Sequence, residues 1–174
     1  MDFYLTEAQE LLVSTAREVF QQNCPTTLVQ ELALDSHGFP EALWQQIAAL
    51  GWPGLLITEN WGGSAGGLLD VMLLLEVMGH ACFPSPYIQS AVVSTALIAA
   101  AGSESQKSRL LPAMAMGERL CTLALPEESA GFVPQAIALQ GALGGRINGR
   151  KLFVKDAHIA DELIVVTQGD GGMN

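Results

Sequence analysis

Positive charge is almost missing from the first part of this chain: up to Glu104 the only basic residue is Arg17. The other seven Lys and Arg come later, and the whole carries a formal net charge of −10. So acidic a leading part repels phosphate backbones and anionic bilayers, which argues against nucleic acid or a lipid surface as partner. Cysteines are also scarce. Cys24, Cys82 and Cys121 are odd in number, far apart and in no ligand spacing, so they read as idle thiols in a reducing, cytoplasmic compartment. Long apolar runs are missing too; the stretch from Ala91 to Ala101 is short and interrupted by Ser94 and Thr95, so no membrane span is expected. No basic-then-apolar leader opens the chain, and Met1-Asp2 runs straight toward a helix.

What remains is a globular composition, 49% hydrophobic and 15% charged over 174 residues, enough for one domain or one domain plus a piece of another. Thr6-x-x-Gln9 is a capping box, and Leu12, Ala16, Val19 and Phe20 follow at helical spacing until Pro25. A short helix is expected from Leu28 to Leu34. Pro40 suits the first position of a helix with Leu43, Trp44, Ile47 and Leu50 on one face, closed by Gly51 in the left-handed conformation. Residues from Trp52 to Gly67 read as loop. Leu68 to Met78 is apolar almost all round, which predicts a central helix buried on most sides. Tyr87 to Ala101 reads as another helix. Ser103-x-x-Gln106 repeats the capping box before a helix that Pro112 should end or kink.

Beyond Gly117 the periodicity changes. Cys121–Leu125, Ala136–Leu139, part of Gly145–Val154 and Leu163–Thr167 read as strands bounded by Gly, Pro or charge. The fold class is therefore mainly α with a C-terminal β portion. Three or four strands close nothing, so exposed edges and an oligomer are expected.

Few groups carry chemistry on their own. Trp61 to Gly67 is glycine-rich but lacks the Lys-Ser or Lys-Thr of a phosphate loop, so it reads as a turn between helices. His37, His80 and His158 stand singly, which leaves no metal site. Glu127 and Glu128 are adjacent, and neighbouring strand residues point to opposite faces, so they do not form a proton-sharing pair.

The order of the segments says more. Phe39-Pro40 with Leu43-Trp44, Leu50-Gly51-Trp52, Glu59-Asn60-Trp61-Gly62-Gly63, Glu76 to His80, Phe83 to Tyr87, Gly102 to Gly117, and Asn148-Gly149-x-Lys151 succeed one another along the whole chain. That order resembles the front half of the acyl-CoA dehydrogenase family. His80 stands where the family has Arg. The resemblance implies an N-terminal helical domain at 1–117 and an incomplete middle β-barrel domain at 118–174, with the C-terminal four-helix domain absent. It also implies FAD, an acyl-CoA thioester that undergoes α,β-dehydrogenation, and an electron-transfer flavoprotein as partner of the full-length enzyme. The family's catalytic glutamate lies in the missing part, so no catalytic residue is assigned in this chain.

The same resemblance implies a flavin contact at Leu123, Leu125 and Pro126, where the family has Leu-Thr-Glu-Pro. Pro126 brings neither hydroxyl nor backbone N–H. A substrate contact falls on Gly131 and Phe132, with Phe132 replacing a serine. Phe153 and Lys155 fall on a Trp-Ile-Thr that stacks on and bonds the flavin; Phe153 keeps an aromatic face, and Lys155 replaces a hydroxyl with a cation. Two readings stand: a portion of a flavin-dependent dehydrogenase, or a non-catalytic partner subunit of a heteromeric one. A helical interaction module with a sheet remnant is the third.

Overall fold

In the computed structural model, residues 4–128, 133, 136–141 and 145–169 and the backbone of 172–173 are described. The first helix, α1 (Glu7–Asn23), opens on the expected box: Thr6 Oγ1 accepts from the Gln9 amide at 3.3 Å, and the Gln9 side chain accepts from the Thr6 amide at 3.0 Å. Such a cap contributes about 0.5–2 kcal/mol by satisfying N–H groups that the first helical turn cannot. After α2 (Thr26–Leu32), Pro40 sits at the cap of α3 (Glu41–Ala49), one residue ahead of the first position. Gly51 then turns left-handed at φ 75°. The expected loop holds two short tight turns, Trp52–Gly54 and Glu59–Trp61.

Helix α4 (Leu68–His80) packs against α1. Asp70 joins their starts, accepting from the Gly67 amide at 2.7 Å and from Gln9 Nε2 at 2.8 Å. The burial of α4 is not what its composition suggests. Val71, Leu74, Val77 and Met78 are inside, whereas Leu68, Leu69 and Met72 are more than half exposed. Composition reports how apolar a helix is, but not how many neighbours reach it. Ile47, Leu74 and Ala16 lie fully buried in the core where α1, α3 and α4 meet. Burying a side chain such as Ile47 contributes about 1.5–3 kcal/mol.

The next stretch is a helix in two geometries, a wide π segment over Ile88–Ser94 and then α5 (Thr95–Ala101). Helix α6 (Glu104–Ala115) starts on the second expected box, Ser103 with Gln106. It does not stop at Pro112. The ring removes the bond that would go to the Ser108 carbonyl, a cost of about 3 kcal/mol. Ser108 is exposed, so water can take that carbonyl, and Leu110, Leu111, Met114 and Ala115 bury on both sides of the proline.

Three buried hydrogen bonds join the helices to one another and to the β portion. Trp44 Nε1 donates to the Gly117 carbonyl at 2.9 Å, and Tyr87 Oη donates to the Trp52 carbonyl at 2.8 Å. Burial pushes the Tyr87 hydroxyl pKa up, so it stays a donor. Ser90 Oγ accepts from the Cys121 amide at 3.2 Å, at the first residue of β1 (Cys121–Ala124). Gly117 takes φ 68°, and a Cβ there would lie 2.7 Å from the Ala48 side chain. The chain can turn from α6 into β1 only with a glycine at that point.

β1 pairs in parallel with β2 (Glu162–Val165), Cys121 opposite Glu162 and Ala124 opposite Val165. A small antiparallel pair comes next, β3 (Gln168–Gly169) with β4 (Gly172–Met173). The expected strands at Ala136–Leu139 and within Gly145–Val154 do not form; only Gln140 bridges to Gln168. Single backbone bonds, Gln168 amide to Leu139 carbonyl and Leu152 amide to Pro126 carbonyl, and the Glu127 carboxylate hold these runs instead. The architecture is thus mainly α with a C-terminal β portion.

Replacing Trp44 with Phe should strand the buried Gly117 carbonyl and cost about 1–3 kcal/mol, read as a lower urea midpoint with unchanged slope. An unchanged midpoint would show that the bond contributes nothing.

Candidate functional site

β1 delivers the chain to the segment Leu125-Pro126-Glu127, and residues 151–155 lie alongside it. Four bonds tie the two stretches. The Leu152 amide donates to the Pro126 carbonyl at 2.9 Å. Thr122 Oγ1, on a residue with no exposure, donates to the Lys155 carbonyl at 2.7 Å. Lys151 Nζ donates to the Leu125 carbonyl at 3.2 Å and to Glu127 Oε1 at 2.6 Å.

Glu127 is the node of this arrangement. Besides Lys151 it accepts from the Ala138 amide at 2.9 Å and the Leu139 amide at 3.2 Å. Both charged side chains are less than one tenth exposed. The Lys151 hydrogen bond, followed by the Ala138 amide, holds the Glu127 carboxyl below its ordinary value, outweighing desolvation. A carboxylate so engaged is anionic at neutral pH and has no proton to trade. Glu128 beside it is exposed, so the two acids share nothing.

The expected contact residues come together in part. Leu123, Leu125 and Pro126 are half-buried along the end of β1. Phe153 stands 84% exposed beside them, with its backbone at φ 51°. A bulky residue in the left-handed region is strained, and such strain is kept only where the surroundings impose it. Here the bonds made by Lys151, Leu152 and Lys155 hold the backbone on both sides of Phe153. The Lys155 side chain is exposed, while its carbonyl is held by Thr122. Asp156 comes next, also left-handed at φ 57°, its carboxyl pKa raised by burial. Gly131 and Phe132 lie outside the described residues.

Next to this edge, Ala124, Leu139, Val154, Leu163 and Val165 line an apolar hollow of about 560 Å³, with Lys151 in its wall. On the outer side, Glu162 receives Arg109 of α6 at 2.6 Å and Arg119, just ahead of β1, at 3.5 Å, surface pairs worth about 0–1 kcal/mol. His158 Nε2 lies 3.1 Å from the His37 carbonyl, so these two histidines are neighbours. Among the described residues no group of three or more His, Cys, Asp or Glu is placed to hold a metal. Nor is any helix among them long and apolar enough to cross a membrane.

Sequence reasoning missed the Glu127–Lys151 pair and Thr122. Lys151 was visible as part of Asn148-Gly149-x-Lys151, and Glu127 as a carboxylate, but nothing in their spacing of 24 residues says that they meet.

Residues 6–118 match the family described as Acyl-CoA dehydrogenase, N-terminal domain, and the chain belongs to that family. A short-chain-specific acyl-CoA dehydrogenase of Clostridium acetobutylicum is 30% identical over 98% of this chain and 46% of its own length. The solved ChsE4–ChsE5 complex of Mycobacterium tuberculosis superposes with TM-score 0.86 at 26% identity, covering 99% of this chain and 47% of that one. A glutaryl-CoA dehydrogenase of Mycobacterium smegmatis, solved in complex with FADH2, gives TM-score 0.85 at 22% identity, over 97% and 44% of the two chains, and speaks for the fold alone. The chain spans under half the length of these relatives.

Because Glu127's pKa lies below the ordinary 4.5, its stabilising contribution is complete above that value and fades as pH falls through the lower folded value. Lys151→Met removes the main cause of that lowering. The acid-unfolding midpoint, followed by circular dichroism, should then move to higher pH; an unmoved midpoint would show that the pair does not anchor the fold.

Proposed function

We propose that this chain is the leading portion of an FAD-dependent acyl-CoA dehydrogenase. On this reading residues 1–117 form its helical domain and 118–174 belong to its middle β domain. The observation that carries the reading is the single edge on which the end of β1 meets an exposed aromatic: Leu123, Leu125 and Pro126 beside Phe153. That edge fits a planar flavin ring as an apolar border plus one aromatic face. It lacks the hydroxyl donor that the family has at Pro126. When bound, FAD supplies the hydride acceptor for dehydrogenation beside the thioester. This chain's share is to orient the ring on Phe153, to place the Lys155 cation near it, and to exclude water with the Leu123 and Leu125 side chains. Gly131 and Phe132 would face the acyl-CoA. An electron-transfer flavoprotein would take the electrons, in the cytoplasm.

A second reading is favoured by Pro126. It offers no N–H, its carbonyl is taken by Leu152, and the Leu125 carbonyl is taken by Lys151. An edge with so few free polar groups suits a non-catalytic subunit of a heteromeric dehydrogenase, which keeps the fold for assembly.

The visible absorption spectrum of the full-length gene product separates the two. Flavin near one per subunit in the protein purified alone supports the enzyme. A colourless protein whose flavin comes only with a co-purified homologous subunit supports the partner role. In the first case Phe153→Ala should weaken FAD binding roughly two- to tenfold, the scale of one aromatic contact of about 0.5–1.5 kcal/mol. Unchanged affinity would remove Phe153 from the site.

A further inference from the structure

Helices α1 and α4 lie side by side and run in the same direction. At their starts Gln9 bonds Asp70 at 2.8 Å, and at their ends Cys24 meets the turn after α4. The Cys24 thiol lies 3.7 Å from the Ala81 carbonyl oxygen, an atom of the peptide unit that links Ala81 to Cys82. The two cysteines line one hollow of about 520 Å³, with Arg17, Phe20, Val77 and His80. Cys24 is buried and Cys82 exposed. Cys82 sits at φ 50°, a left-handed turn for a residue with a side chain, and its backbone N–H donates to the Gly79 carbonyl at 3.0 Å. Cys121, by contrast, is buried in β1 within the other core cluster.

We propose that Cys24 and Cys82 are a redox-active pair that closes into a reversible disulfide joining the ends of α1 and α4. The sequence suggested idle thiols, since a separation of 58 residues shows no relation between the two. The fold brings them to one hollow, with the Cys24 thiol against the peptide unit that carries Cys82; the proposed bond would hold their Cα atoms about 4.4–6.8 Å apart.

The oxidant is a small-molecule disulfide. The exposed Cys82 thiolate attacks one of its sulfurs, forming a mixed disulfide and expelling one small thiolate. The Cys24 thiolate then attacks the Cys82 sulfur, the protein disulfide forms, and the second small thiolate leaves. The two protons lost by the cysteines go to the two released thiolates. The protein is oxidised by two electrons and the small disulfide is reduced to two thiols. Burial, and then the neighbouring Cys82, raise the Cys24 thiol pKa, so the second step quickens with pH as more Cys24 becomes thiolate. A reducing thiol pool reverses both steps.

The test is incubation of the protein with oxidised glutathione at pH 8, then quenching, thiol counting in denaturant and intact mass measurement. Free thiols should fall from three to one. The mass should drop by about 2 Da, the two hydrogens lost on forming one disulfide. Cleavage after glutamate should yield residues 19–31 joined to residues 77–104 until reductant separates them. Cys82→Ser, a change at an exposed position, should abolish the link and leave Cys24 unmodified. Cys24→Ser should trap glutathione on Cys82. A wild-type protein that keeps glutathione on Cys82, joins Cys82 to a second copy, or retains all three thiols would overturn the proposal.

Discussion

One buried ion pair, Lys151 to Glu127, decides whether the candidate edge exists. Neither segment it joins is a regular strand. Beyond Ala124 the chain has left β1, and residues 145–154 never enter a ladder, so backbone pairing alone cannot hold them together. The pair replaces what a sheet would have supplied. Lys151 caps the Leu125 carbonyl and the Glu127 carboxylate at once, and Glu127 gathers the Ala138 and Leu139 amides. Charges so buried are stable only as a complete set, because removing one partner leaves the other without water or counter-charge. The position of Phe153 two residues further on depends on this set.

The helical part gives that edge a fixed base. Trp44 fastens α3 to the Gly117 turn, and Tyr87 fastens the wide π segment to the turn after α3. Ser90, within the π segment, receives the first amide of β1. The wide turn is therefore the joint between the helices and the β portion. Strand β1 starts where these bonds place it, and its Thr122 hydroxyl then sets the height of Lys155.

Local signals in the sequence were legible wherever the physics was local. Thr6 with Gln9, Ser103 with Gln106, and Gly51 each act within a turn, and each was found in place. Features that depend on distant neighbours were not. The apolar α4 leaves Leu68, Leu69 and Met72 outside because no described element packs over them. Pro112 passes through α6 because burial on both sides outweighs one lost bond. The stretches read as strands at 136–139 and in part of 145–154 have strand composition, but isolated backbone bonds and a side-chain anchor took the place of a ladder. For the candidate site, the order of family landmarks pointed to these segments, and the pattern could not disclose that Glu127 and Lys151 meet.

With a proline at 126, the Leu125 and Pro126 carbonyls already engaged, and an exposed Phe153 in a strained turn, the candidate edge offers a contact surface of shape and one ring face. The most direct test is amide hydrogen exchange on the full-length protein, compared with and without FAD. Protection gained at the Leu123, Leu125 and Phe153 amides is what this account predicts. FAD bound with no change at those amides would contradict it, and would move the flavin away from the edge that Lys151 and Glu127 assemble.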